Sequence, residues 1–220
     1  MIIAIDGPAG SGKTTISRLL ARKLNISYLD TGATYRVLTL KALRENIDLD
    51  DYEKVKTLAE TLDIRMEKNK VYLDGEEVSE EIRVPLIDKN ISKIAANPMA
   101  RKVLVNIQRK MAEGGDFVAE GRDVTTVVFP GAKFKFYMDA FYFERVKRRH
   151  KELKEKEVNI SLEELTEQIR KRDDSDFTRK NSPLKKAADA VYVDTTNLTL
   201  EQVVDKLLSY IEIGDRLKDD

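Results

Sequence analysis

Gly7-Pro8-Ala9-Gly10-Ser11-Gly12-Lys13-Thr14 follows the apolar run Met1-Ile2-Ile3-Ala4-Ile5 and precedes Ile16, Leu19, Leu20 and Leu24 at helical spacing. It fits the pattern G-x-x-x-x-G-K-[ST] between a strand and a helix. Three glycines permit backbone conformations closed to other residues, and successive N–H groups can then turn inward as a nest for an anion. Lys13 adds a point charge for β- and γ-phosphates, and Thr14 offers a hydroxyl to Mg²⁺. The following helix directs its N-terminal dipole at the same anion. A chance match in a chain of this length is roughly one in a hundred. An ordinary Gly-rich strand–helix turn is the bland alternative. The ligand this reading implies is a nucleoside triphosphate.

Composition bounds the rest. The 220 residues suit one domain, or one domain carrying inserts. Lys plus Arg and Asp plus Glu number 39 each, so the basic excess of a nucleic-acid binder is missing. With no cysteine there is no disulfide, thiolate metal site or thiol nucleophile. The N-terminus enters a strand without a charged-then-apolar leader, and no apolar run approaches 18 residues, so no membrane role and a cytoplasmic location are expected. Charged residues make up 35% and Trp is absent, which suits a hot-growing host or simply a solvated helical surface.

Working outward, residues 1–6 read as a buried parallel strand, 13–24 as its helix and 27–29 as a second strand, the start of a parallel α/β series. From Thr34 to Glu45 the pattern is helical, with Tyr35 and Arg36 in the first turn. An arginine there opposes the helix dipole, so it either serves a bound anion or snorkels to solvent. Residues 52–62 form a short helix. Three alternating runs follow, separated by Asn69 and by Asp74-Gly75, a hairpin signal. Helices are expected from Leu86 to Ala96 and from Met99 to Glu113, stopped by Gly114-Gly115. Phe117–Glu120 is a core strand running into Arg122 and Asp123, where open α/β sheets hold ligands. Phe134–Met138 is the next strand. The helix from Phe141 to Lys156 carries Arg145, Arg148 and Arg149 on one face, as a functional cluster or as a solvated face paired with Glu144 and Glu152. A capping box at Ser161 opens a helix to about Lys171, and Arg172 to Arg179 reads as a polar loop. Ala190–Asp194 is a last strand, Thr199 caps a final helix, and the tail from Gly214 to Asp220 is expected to fray.

The fold class is therefore α/β: a three-layer phosphate-loop fold with a helix-flanked parallel sheet. Its core is expected at 1–49, 98–149 and 186–220, with an antiparallel-strand insert at 50–97 and a helical lid at 150–185. Phosphoryl transfer needs positioning and charge neutralisation by Mg²⁺, Lys and Arg, and Arg36, Arg122 and the arginines at 145, 148 and 149 lie in segments that could serve it. If the acceptor is a phosphate monoester, with a second pKa near 6, it is a dianion at neutral pH and needs no general base. His150 is then a surface residue.

Four blocks carry a resemblance: Gly7 to Thr15; Leu29-Asp30-Thr31-Gly32-Ala33-Thr34-Tyr35-Arg36; Glu120-Gly121-Arg122-Asp123 with Thr126-Val127-Val128-Phe129-Pro130; and Arg172-Asp173-Asp174-Ser175-Asp176 with Arg179. In order and spacing the chain resembles bacterial cytidylate kinases nearly end to end. The resemblance implies ATP-dependent phosphorylation of CMP and dCMP with Mg²⁺ by a monomeric enzyme. It puts Gly7, Pro8, Ala9, Gly10, Ser11, Gly12, Lys13, Thr14 and Thr15 on ATP. Arg36 and Arg122 would clamp the acceptor phosphate beside Thr31 and Tyr35. Ser92, Arg101, Asp123 and Arg179 would read cytosine, Arg172 and Asp176 the ribose, and Arg145, Arg148 and Arg149 would belong to the lid.

Three positions depart from the expected pattern. Glu120 stands where Asp is common, Thr31 where Ser is frequent, and Thr14-Thr15 leaves two candidates for Mg²⁺, Thr14 being favoured by the motif. The rival readings are a small phosphate-loop kinase acting on UMP, AMP, dTMP or shikimate, a nucleic-acid-stimulated ATPase or GTPase-like switch, and a nucleotide sensor without turnover.

Overall fold

Ile3, Ala4 and Ile5 are wholly buried in the first strand of the computed structural model, which describes residues 1–67, 70–155 and 157–216. In chain order the elements are β1 (Ile2–Asp6), α1 (Lys13–Leu24), β2 (Ser27–Asp30) and α2 (Thr31–Arg44). Next come α3 (Tyr52–Glu60), β3 (Ile64–Glu67), β4 (Lys70–Leu73), β5 (Glu76–Glu77), α4 (Pro85–Ala96) and α5 (Pro98–Met111). The chain continues with β6 (Phe117–Gly121), β7 (Phe134–Asp139), α6 (Tyr142–Glu155), α7 (Leu162–Thr178), β8 (Val191–Asp194) and α8 (Leu200–Arg216). Among the described residues no helix is long and apolar enough to cross a membrane.

Two compact units result. The first holds Met1–Tyr28, Gly115–Thr178 and the chain from Pro183 onward; the second holds Leu29–Gly114 and Arg179–Ser182.

In the first unit β1 pairs in parallel with β6 on one side and β7 on the other, within the order β2-β6-β1-β7-β8. Helices cover both faces of such a sheet, which is why its strands read as continuous apolar runs. Ile16 and Leu20 of α1 and Val203, Leu207 and Ile211 of α8 pack with Ile3, Ile5, Val118, Phe136 and Val193. The register sets Asp6 beside Gly121 and Tyr137, and Asp139 beside Asp194. The segments after β1, β6, β7 and β8 therefore leave from one edge, the carboxyl edge where such sheets bind ligands.

In the second unit β3, β4 and β5 form the antiparallel sheet foreseen around Asp74-Gly75. Both turn residues have positive φ, 49° and 88°, as a two-residue hairpin turn demands. Asn69, the other separator, lies outside the described residues. This unit is wider than the expected 50–97 insert, because α2 and α5 share an apolar cluster with α3 and α4 through Leu38, Ala42, Val55, Leu58, Ile91, Ile94 and Leu104. Residues 150–185 likewise form no unit of their own, since α6 and the whole of α7 belong to the first and Arg179–Ser182 to the second.

Two helices begin or end differently from expectation. α2 starts at Thr31, not Thr34, because the Asp30 carboxylate accepts from Ala33 N at 3.0 Å as its N-cap. Arg36 therefore lies in the second turn, beyond the reach of the dipole argument. α7 runs to Thr178, through the stretch read as a polar loop. Asp173 and Asp176, at i and i+3, are buried there and pair with arginines, so charge pairing replaces apolar periodicity along that face. α8 continues through Gly214 to Arg216, and the remainder of the expected frayed tail lies outside the described residues. Lys156, the expected end of the helix after β7, also lies outside them. His150 is half-buried on α6.

Asp6 ties β1 to the segment after β6. Its wholly buried carboxylate accepts from Val124 N and Thr125 N at 2.8 Å each and from the Thr125 hydroxyl at 2.6 Å. Val124–Val128 winds as one π-helical turn, with Asp123 O accepting from both Val127 N and Val128 N. Burial pushes the Asp6 carboxyl up to about 6, against the hydrogen bonds that pull it down. A carboxyl raised in the folded state adds stability that is fully present below its unfolded value of 3.8 and is lost as pH rises through about 6. Each tenfold change in proton affinity is worth about 1.4 kcal/mol. Relative to Asp6→Asn, the wild type should lose a few kcal/mol between about pH 4 and 7, measured by urea unfolding at each pH.

Candidate functional site

The loop after β1 has the backbone its glycines allow: Gly7, Gly10 and Gly12 all have positive φ, 155°, 74° and 87°. At Gly7 a Cβ would lie 1.9 Å from the Met138 carbonyl oxygen, and at Gly10 2.6 Å from that of Arg145. Glycine is required at both by conformation and by space. Gly12 precedes α1, whose amides open toward the loop, and Ile16 N closes the first turn on Gly12 O at 3.1 Å. Lys13 is buried and folds back into the loop, donating to Pro8 O at 2.7 Å and to the Ser11 hydroxyl at 3.4 Å. Burial, with Arg122 and Arg172 nearby, pushes its ammonium down to about 7 despite the opposing pull of Glu120 and Asp6. A cation so placed gains by meeting an anion.

Thr14 is half-buried and Thr15 exposed. The Thr14 hydroxyl donates to Glu120 Oε1 at 2.7 Å, and the Tyr28 hydroxyl donates to the same oxygen at 3.1 Å. A hydroxyl and a carboxylate side by side are hard oxygen donors that fit Mg²⁺. Among the described residues no group of three or more His, Cys, Asp or Glu could hold a metal.

Arginines and carboxylates fill the same edge of the sheet. Arg122 Nε donates to Asp176 at 2.8 Å. Arg145, buried at the start of α6, donates to Asp173 at 2.5 Å and to the Ala9 carbonyl at 2.9 Å, with Asp139 at 3.6 Å. Ala9 N donates to the other Asp173 oxygen at 3.4 Å. Arg145 and Asp173 thus sit on the phosphate loop itself. Arg148 donates to Thr195 O at 2.7 Å and to the Thr195 hydroxyl at 3.0 Å, and pairs with Glu144 at 3.1 Å. Arg149 pairs with Glu152 at 2.7 Å. The two exposed-face pairings foreseen for this helix are therefore present, while Arg145 turns inward. Asp123 is buried, and Arg172 is half-buried on α7.

The remaining expected residues lie in the second unit. Arg36 donates to Asp88 at 2.5 Å and to Ile82 O at 2.9 Å. The buried Arg101 guanidinium stacks 5.2 Å from the Tyr35 ring and donates to Ala95 O at 3.1 Å. Gln108 donates to Thr31 O and to the Thr34 hydroxyl, fixing the start of α2. Ser92 is half-buried on α4, and Arg179 donates to Ser182 O at 2.7 Å.

Sequence reasoning missed Asp173, Tyr28 and Asp6. Asp173 stands three residues before Asp176, a spacing that puts both on one helical face and could have been read. Tyr28 and Asp6 act across more than ninety residues of chain, with 92 separating Tyr28 from Glu120 and 118 separating Asp6 from Val124, and no local pattern marks such pairs.

Known proteins resemble this chain in fold and in sequence. The fold is like that of a gluconokinase from Sinorhizobium meliloti, with TM-score 0.50, 12% identity and coverage of 98% of this chain and 94% of the other. In sequence the chain is 49% identical to a cytidylate kinase of Caldanaerobacter subterraneus subsp. tengcongensis, over 95% of this chain and 93% of that protein. It is 46% identical to one of Clostridium botulinum, over 96% and 97%. The family model described as cytidylate kinase matches residues 3–213, from β1 into α8, so the loop, the arginine-lined edge and the antiparallel sheet all fall inside the match and the chain belongs to the cytidylate kinase family.

Proposed function

We propose that this chain transfers the γ-phosphoryl group of ATP to CMP or dCMP, giving ADP and CDP or dCDP. The observation that carries the reading is the buried, deprotonation-prone Lys13 inside a glycine cradle, with arginines held close to it by carboxylates. An oxygen of the acceptor phosphate, already a dianion above about pH 6, attacks the γ-phosphorus as the bond to the ADP oxygen breaks. No proton need be removed from the acceptor. Lys13, the loop amides and Arg145 offset the charge on the transferred group. Arg148 and Arg149 serve the same helix as lid residues.

Thr14 and Glu120 would hold Mg²⁺, whose contribution when bound is to neutralise and align the phosphates. Thr14 is the ligand in preference to the exposed Thr15. On the acceptor, Arg122 and Arg36 take the phosphate, Asp123, Ser92, Arg101 and Arg179 the cytosine, and Arg172 and Asp176 the ribose. Thr31 and Tyr35 also line the CMP site, Tyr35 stacking on Arg101. A carboxylate with guanidinium groups matches the amino donor and adjacent acceptors of a cytosine edge. The antiparallel-strand region serves as the monophosphate-binding insert and α6–α7 as the lid. The enzyme is proposed to be monomeric and cytoplasmic, and to use no nucleic acid.

A coupled assay over CMP, dCMP, UMP, AMP, dTMP and shikimate tests the assignment. CMP and dCMP should be the best acceptors. A preference for AMP or shikimate would overturn it, and ATP turnover that needs DNA or RNA and ignores CMP would restore the reading as a nucleic-acid-stimulated ATPase.

Lys13→Met should lower kcat by about a hundredfold or more while the fold persists. Because the Lys13 ammonium is held down to about 7 without phosphate, a bound triphosphate should raise it and ATP binding near pH 8 should take up a proton. Calorimetry in buffers of different ionisation enthalpy reads that uptake, which should vanish in Lys13→Met. Asp123→Ala and Arg179→Ala should each raise KM for CMP about tenfold, the worth of one charged hydrogen bond, and leave KM for ATP nearly unchanged. Equal effects on both would remove these residues from base reading.

A further inference from the structure

Glu120 Oε1 is shared by two hydroxyl donors on different elements, Thr14 at the start of α1 and Tyr28 on β2. A threonine hydroxyl has one hydrogen. When that hydrogen is committed to Glu120, the lone pairs of Thr14 Oγ1 face away from the carboxylate, available to a cation. The orientation holds only while the carboxylate stays put, and a glutamate side chain has three torsions with considerable rotamer freedom. Glu120 is 5% exposed, but burial alone does not choose among rotamers. The Tyr28 phenol supplies a further fixed point. It is held in turn by its strand, next to β6 in the sheet, and by the Arg18 guanidinium 5.2 Å from its ring centroid.

We propose that Tyr28 is a positioning residue for the cation site: its hydroxyl locks the Glu120 carboxylate in the conformation that orients Thr14 toward Mg²⁺. This rests on the kinase reading above and on Thr14 as ligand. Tyr28 acts on the cation site through Glu120. Loss of its hydroxyl leaves the ring, the strand and the Arg18 contact in place but removes one of the donors that orient the carboxylate. Cation binding should then suffer, and acceptor binding should not.

The test uses the full chain with Tyr28→Phe, Glu120→Gln and the double variant, and Mn²⁺ as the probe. Electron paramagnetic resonance measures Mn²⁺ binding to protein carrying the β,γ-imido analogue of ATP, with no turnover involved. Tyr28→Phe should weaken Mn²⁺ binding about tenfold, as loss of a partner behind a metal ligand does. KM for CMP should stay within about twofold, and phenol loss should add little in the Glu120→Gln background, as expected for two groups on one path. An unchanged Mn²⁺ affinity in Tyr28→Phe would overturn the proposal, whether or not its melting temperature falls. Equal weakening of Mn²⁺ and CMP, or full additivity with Glu120→Gln, would do the same. If the wild type binds Mn²⁺ no better than the free analogue does, the kinase reading itself fails. That outcome is distinguishable because it appears before any substitution is made.

Discussion

Positive charge crowded at one edge of a parallel sheet is the constraint on which the first unit depends. Lys13, Arg122, Arg145 and Arg172 gather there, and burying cations without partners is costly. Lys13 shows the cost directly, its ammonium pushed down to about 7 by burial and by its arginine neighbours. The fold meets the constraint with carboxylates: Asp173 for Arg145, Asp176 for Arg122, Glu120 close to Lys13. Asp173 also accepts from Ala9 N, so a side-chain carboxylate engages one loop amide much as a phosphate oxygen would. That need explains why α7 is long and polar, and why it is helical where its composition suggests a loop.

The equality of 39 basic and 39 acidic residues takes on another meaning in this light. It argued against a nucleic-acid surface, and in the structure much of it resolves into local pairs. Arg44 with Glu76 and Glu81, Lys41 with Asp74, and Arg36 with Asp88 repeat in the second unit what Arg122 and Arg145 do in the first. The exposed pairs contribute little to stability. The buried ones decide where guanidinium groups point, which is a statement about function.

How much was legible beforehand follows from the range of the interactions. The cradle, the core strands and the Asp74-Gly75 hairpin are written locally, in glycine placement, apolar runs and turn chemistry, and the structure has them where the residues say. The start of α2 was legible in principle, since Asp30 stands three residues before Ala33, but the helical apolar pattern begins only later and drew the boundary with it. The continuation of α7 was legible only in the i, i+3 spacing of Asp173 and Asp176; that this acidic face is buried was not, because its partners Arg122 and Arg145 lie elsewhere in the chain. The same holds for Tyr28 with Glu120 and for Asp6 with Val124 and Thr125, where nothing short of the folded sheet brings the atoms together.

The central place of β1 has a consequence for biosynthesis. This strand carries the cradle at its end, yet both its sheet partners, β6 and β7, lie more than a hundred residues downstream. A ribosome working at about 5–20 residues per second needs on the order of ten seconds to proceed from Asp6 to Asp139. Throughout that interval the emerging polypeptide holds its nucleotide motif in full but has no sheet to shape it. ATP, abundant in the cell, therefore cannot act as an early folding template for this protein, and ligand-assisted maturation must wait until β7 has been made.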